Sequence, residues 1–192
     1  MNFLHPDVIA IDRPGRATPT HLEVPLSVYR DSCFYKNHFI PSGFYDDAGI
    51  AIKINDRWTT NPYQGESCIR VEFTPQGSYT HGGITFQFPK DNWGTMPGYS
   101  LQGQRRVSLR ARAESLTNVE FQFATIHNGA QWQDSLPSSK RRYTLNSDWQ
   151  ECSFPISTQN AANIVGGFGF YLDTNMNGYG QKIFYMDDIW IE

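Results

Sequence analysis

Ten short runs in this chain alternate apolar and polar residues with a period of two: Leu26–Asp31, Ile50–Ile54, Cys68–Phe73, Ile84–Phe88, Val107–Ala113, Val119–Phe123, Arg142–Leu145, Gln150–Phe154, Phe168–Leu172 and Ile183–Ile191. Successive side chains of a strand point to opposite faces, so each run reads as a strand with one buried face. Glycine, proline, asparagine and aspartate punctuate the intervals. With 16 Gly and 11 Pro in 192 residues, little room is left for a long helix. Strands at such regular spacing predict an all-β fold, an antiparallel β-sandwich of the jelly-roll type. The one helical expectation is a short turn near Gln159–Ile164.

The length suits one domain able to bury a core without metal or disulfide staples. Pro6, Pro14, Pro19 and Pro25, with Gly15, interrupt every period at the start, so residues 1–25 are expected to form an extended N-terminal arm. The domain proper is then 26–192. A net charge of −3 argues against non-specific nucleic-acid binding, which needs a basic surface. No apolar run is long enough to cross a membrane as a helix, so no membrane partner is expected. The first residues lack the basic start and apolar run of a secretory leader. Either the protein is cytoplasmic or a leader has been removed. The three cysteines, Cys33, Cys68 and Cys152, are an odd number at spacings without a zinc signature. Cys68 is expected as a buried thiol facing the core.

Alternation sorts the side chains. With Val107, Leu109, Ala111, Phe86, Phe88, Phe121, Phe123, Phe168, Phe170 and Leu172 inward, the opposite side holds Thr85, Gln87, Ser108, Arg110, Arg112, Glu120, Gln122, Tyr171 and Asp173. Amides and guanidinium groups can bond vicinal hydroxyls in pairs, and aromatic faces stack on sugar C–H surfaces. Such a face suits a glycan, and it equally describes an ordinary solvated sheet. Trp58, Trp93 and Trp132 lie in polar, turn-rich stretches, where an indole either caps an open end of the sandwich or serves as a stacking platform. Trp149 and Trp190 sit in strand contexts and read as structural.

There is no glycine-rich phosphate loop, no H-E-x-x-H and no G-x-S-x-G elbow. No pair of glutamates has the spacing that would bring two acids to one cleft. Asp187 and Asp188 are adjacent, which in a regular strand sends them to opposite faces. Asp188 with Asp31 could hold a structural calcium, an ion that takes several oxygen ligands. The simpler alternative is that these acids accept backbone or arginine hydrogen bonds. A dispersed lyase or hydrolase site would fall on Arg110, His127 and Tyr179.

Several stretches resemble one recurring module: Asn37-His-Phe-Ile-Pro-Ser-Gly43, Trp58-Thr-Thr-Asn-Pro-Tyr-Gln-Gly65, Cys68-Ile-Arg-Val71, Asn92-Trp-Gly94 and Pro97-Gly98. Asp134-Ser-Leu-Pro137, Ser147-Asp-Trp-Gln150, Val165-Gly-Gly-Phe168 and Tyr185-Met-Asp-Asp-Ile189 continue it. The order is similar to the galactose-binding-like jelly rolls that accompany glycoside hydrolases as carbohydrate-binding modules, from about Val28 to Glu192. The resemblance implies a sandwich without catalytic residues, a calcium site in many members, and an oligo- or polysaccharide partner. The glycan would sit at the loops, through Trp58, Trp93, Trp132 and Asp134, or on a concave face, through Gln87, Arg110, Gln122 and Tyr171. A polysaccharide-degrading enzyme and a protein-interaction sandwich are the other functions the sequence leaves open, as it does the oligomeric state.

Overall fold

Each of the ten alternating runs contains a strand. The computed structural model describes residues 19–22, 25–45, 49–101, 103–156 and 161–192. Its strands are β1 (Thr20–His21), β2 (Leu26–Tyr29), β3 (Ile40–Phe44), β4 (Ile52–Trp58), β5 (Cys68–Phe73), β6 (His81–Gln87), β7 (Tyr99–Ser100), β8 (Arg106–Ala113), β9 (Thr117–Phe123), β10 (Ser139–Leu145), β11 (Gln150–Pro155), β12 (Gly166–Asp173) and β13 (Lys182–Ile191). Two antiparallel sheets face one another. One has the order β10-β9-β12-β6-β3, the other β11-β8-β13-β5-β4, with β2 added on β13. This is the expected antiparallel sandwich.

The core is aromatic. Phe86, Phe121, Phe168 and Phe170 from the five-stranded sheet and Phe73 and Phe184 from the six-stranded sheet are fully buried. Phe170 meets Phe184 edge to face between the sheets, at 5.2 Å between ring centroids. Phe86 and Phe168 make a second such pair at 5.3 Å. T-shaped packing of this kind places a ring edge against a ring face, the favoured electrostatic arrangement.

Several expectations are corrected. Of Gln159–Ile164, residues 159–160 lie outside the described residues, and 161–164 are irregular, with Ile164 bridging to Tyr99. Among the described residues the one helical turn is α1 (Thr174–Asn177), started by Asp173, whose carboxylate accepts from the Met176 N–H at 2.7 Å. Strand β3 escaped the periodicity because Pro41 and Gly43 interrupt it. Of the expected arm, most lies outside the described residues. Its Thr20–His21 segment pairs in parallel with Tyr99–Ser100, and Leu22 packs on the core. In β5 the core-facing residue is Ile69. Cys68 has the opposite parity yet is fully buried, and burial pushes its thiol up to about 12.

The largest correction concerns the polar face. The residues grouped by parity do not share one surface, because β8 lies in the six-stranded sheet while β6, β9 and β12 lie in the other. Arg110, Arg112 and Ser108 are therefore on the opposite side of the molecule from Gln87, Gln122 and Tyr171. Parity tells in from out, but it does not tell which sheet a strand joins.

Removing the ring at Phe170 would leave a cavity where the sheets meet. Phe170→Ala should lower unfolding stability by about 3–5 kcal/mol, measured by denaturant titration. A loss under ~1 kcal/mol would mean that the sheets do not depend on this contact.

Candidate functional site

The outer face of the six-stranded sheet carries a row of alternating aromatic and guanidinium groups. Register places Arg70 beside Asn55 on one side and Tyr185 on the other, and Tyr185 beside Arg112. Gln150 pairs with Ala111, which brings Trp149 level with Arg112. At the far edge, Trp58 closes the row from β4. The Arg70 guanidinium lies 4.8 Å from the Trp58 ring centroid. That of Arg112 lies 3.9 Å from Tyr185 and 5.2 Å from Trp149. At the ~4.8 Å spacing of paired strands the row spans about 19 Å.

A second tier covers this row. Tyr63 packs edge-on against Trp149 at 6.0 Å, with Arg110 at 4.8 Å from its ring. Toward the other end of β8 the face opens into a groove of about 410 Å³, lined among others by Ser108, Arg110, Glu151, Asp188, Trp190 and Glu192. Arg110 pairs with Glu151 at 3.1 Å, and Arg70 pairs with Glu72. The Tyr185 hydroxyl donates to Glu114 at 2.6 Å. Four buried donors on the face have no acceptor: Trp58 Nε1, Arg70 Nε, Arg112 Nε and Trp149 Nε1. An unpaired buried donor is costly, roughly 1–3 kcal/mol.

The loop carrying Tyr63 is tied down by acids. Asp187 Oδ2 accepts from the N–H groups of Tyr63 at 2.9 Å and Gln64 at 3.3 Å, and Oδ1 from that of Asp188 at 2.8 Å. Asp188 takes the Gln64 amide at 2.6 Å and the Trp190 indole at 3.1 Å. Asp31 accepts from the Glu66 N–H at 2.8 Å and from the Ser67 hydroxyl. Gly65, at φ +70°, sits against Asp31 where a Cβ would collide with the carboxylate. The adjacent pair Asp187–Asp188 does not split between faces as a regular strand would require. The register of β13 shifts between Asp187 and Trp190, and Asp188 is left-handed at φ 52°, so this bulge turns both carboxylates toward one loop.

The oxygens of Asp31 and Asp188 that were expected to face a calcium ion receive N–H and O–H donors from the protein. Among the described residues no cluster of three or more His, Cys, Asp or Glu could hold a metal.

The remaining sequence candidates fall elsewhere. Gln87 is fully buried and accepts from Ser42 at 2.8 Å. Around it, the outer face of the five-stranded sheet is filled by Phe39 over Gly167 and Tyr45 over Gly83, with the Thr85 and Thr125 hydroxyls bonded to each other. Gln122 donates to Glu120 at 3.0 Å, and Tyr171 lies 6.1 Å from the His81 ring. Asp134 is buried. It accepts backbone N–H bonds from Ile126, Val165 and Gly166. Burial raises its pKa, against the pull of those bonds. Trp93 and Trp132 lie in loops that touch, the Trp132 N–H donating to Gly94 at 2.9 Å. Asn92 holds the first loop, accepting from the N–H groups of Gly94, Thr95 and Met96. Trp93 is 37 % exposed. Arg110, His127 and Tyr179 are not brought together. His127 bonds Ala124 beyond one end of β9, while α1, just before Tyr179, bonds Asn118 at the other. Seven residues of strand separate those ends, about 20 Å.

Tyr63, Arg70, Trp149 and Tyr185 are the residues that sequence reasoning did not nominate, while Arg112 stood in the polar group without being singled out as a ligand contact. Parity placed Arg70 and Tyr185 opposite their core neighbours, which was the available signal.

No family model matches the sequence, and neither does any curated protein. Solved structures match in fold. The family 11 carbohydrate-binding module of the cellulosomal cellulase Lic26A-Cel5E of Clostridium thermocellum aligns at 14 % identity and TM-score 0.51, covering 79 % of this chain and 87 % of its own. A family 30 carbohydrate-binding module aligns at 10 % identity and TM-score 0.53, covering 88 % of this chain and 99 % of its own. A mutant of a family 29 module aligns at 7 % identity and TM-score 0.50, with 87 % and 89 % covered. The chain has the β-sandwich, jelly-roll fold of these modules.

Burial pushes the Asp187 carboxyl up to about 6, with the backbone bonds from Gln64, Asp188 and Tyr63 opposing it. A carboxyl raised on folding contributes stability that is complete below its unfolded value of about 3.9 and is lost as pH rises through about 6. Asp187→Asn should therefore flatten the decline in stability between about pH 4 and 6, followed by urea unfolding. A carboxyl ¹³C titration of the wild-type chain with a midpoint below ~4.5 would contradict the assignment.

Proposed function

We propose that this protein binds a carbohydrate without transforming it, on the outer face of its six-stranded sheet. The observation that carries the reading is the row Trp58–Arg70–Tyr185–Arg112–Trp149 with Tyr63 above it. The rings of Trp58, Trp149 and Tyr63 offer apolar faces for sugar C–H surfaces, with Tyr185 packed beneath the arginines, and the guanidinium groups supply donors for hydroxyl oxygens. The unpaired donors gain acceptors when a ligand arrives after a small side-chain shift. Neighbours in fold that are themselves named as carbohydrate-binding modules support the reading. A long, shallow, wet face gives modest affinity, about 4–8 kcal/mol or roughly millimolar to micromolar.

A second surface has its own support. Trp93 stands exposed on a loop clamped by Asn92, next to the loop of Trp132, and a rigid exposed indole is a stacking platform. It would act as an auxiliary contact at the end of the sandwich.

A glycan array with the purified chain, followed by calorimetry on the best ligand, tests both surfaces. Trp149→Ala and Trp58→Ala should each weaken binding about fivefold or more with the fold retained, while Trp93→Ala should have a smaller effect. Loss confined to Trp93→Ala and Trp132→Ala would move the site to the loops. Chelation with EDTA should leave affinity unchanged, because Asp31 and Asp188 are engaged by protein donors. A chelator-sensitive affinity would show that a metal supports the face.

A further inference from the structure

Arg112 differs from the other arginines of the row. Arg70 is neutralised by Glu72 and Arg110 by Glu151. Among the described residues Arg112 has no carboxylate partner and no hydrogen-bond acceptor. Its guanidinium instead sits over Tyr185 and beside Trp149, and its buried Nε is unpaired. The nearest acid along its strand on the same side, Glu114, is engaged by the Tyr185 hydroxyl. Stacking on a ring occupies the flat face of a guanidinium and leaves its in-plane N–H fork available. That fork matches a planar oxyanion with two parallel bonds.

We infer that the face selects an anionic saccharide, with Arg112 receiving the oxyanion of one sugar residue while Trp149 and the exposed Tyr63 hold the adjoining rings. The inference rests on the carbohydrate-binding reading above and narrows its ligand class. A neutral glycan would leave the central cation of the row uncompensated, whereas an acidic one pairs it in a partly desolvated setting. Carboxylates of uronic acids and sulfate esters share the required chemistry.

Affinity electrophoresis of the full chain distinguishes them. The probes are polygalacturonate, alginate, glucuronoxylan, fully methyl-esterified polygalacturonate, a sulfated galactan and a neutral β-glucan. The expected result is that an acidic polymer binds at least about tenfold tighter than the neutral ones. Its binding should weaken between about 50 and 500 mM salt. A gain with uronate polymers assigns a carboxylate, and a gain with the sulfated galactan alone assigns a sulfate. Comparison of free and methyl-esterified polygalacturonate uses the wild-type chain and needs no variant to fold. Arg112→Gln should abolish the preference for acidic polymers and leave residual binding through the aromatic rings, whereas Arg112→Lys should retain part of it. Neutral glucan bound as tightly as any acidic polymer would overturn the inference and keep carbohydrate binding. No binding to any polymer, by a chain shown to be folded, would overturn both.

Discussion

Much of the candidate site hangs on the carboxylate of Asp187. Strand β13 runs through the six-stranded sheet with β8 along one edge. Along the other edge it pairs with β5 as far as Met186 and with β2 from Ile189 onward. Between those partners the edge would be left without a neighbour. The bulge at Asp187–Asp188 falls there, and the loop after β4 fills the gap by giving its N–H groups to Asp187. Without that acceptor the backbone of Tyr63 and Gln64 would lose its bonding partner, and the Tyr63 ring would lose its position over Trp149 and Arg110. One buried acid thus converts a change of strand partner into a fixed wall of the candidate face. The cost of burying it is visible in its elevated pKa.

The same residue types serve two opposed purposes in this sandwich. Phenylalanines fill the interior, where their rings need no polar partner. Tyrosine and tryptophan dominate the outer row, where a ring can stack and a hydroxyl or indole N–H can still bond. Tyr185 illustrates the boundary. Only 4 % of it is exposed, yet it is covered by Arg70, Arg112 and Trp58 rather than by the core. The arginines act here as much by packing as by charge, shielding ring surface that water would otherwise reach.

The fold was legible because alternation is a local signal: Phe168–Leu172 and Val107–Ala113 declare their buried sides without reference to any other segment. The site was only half legible. Trp58 and Arg110 were nominated and belong to this face, but each was assigned to a different kind of surface. Arg110 was grouped with Gln87, Gln122 and Tyr171 because all share a polar parity. The sheet each strand joins depends on pairings over long sequence separations, such as β8 with β13, that no local pattern encodes. Asp188 misled for a related reason. A strand rule applied to Asp187–Asp188 separates them, and the bulge that unites them arises where β13 changes partners.

The two outer faces explain why one is the candidate site and the other is not. On the five-stranded sheet, glycines at 83 and 167 admit the Tyr45 and Phe39 rings close against the backbone, and Gln87 and Thr85 are sealed beneath. That face has spent its small residues on covering itself. The six-stranded sheet presents large side chains from every strand of its row, and these stack on one another, leaving donors unpaired. A surface covered from within by its own loops has its polar groups largely satisfied, with Gln87 Nε2 the exception. A surface that stacks aromatic and guanidinium planes at strand spacing leaves donors unmet just beneath it. That difference, rather than the shared fold, is the physical ground for placing recognition on the side of Arg112.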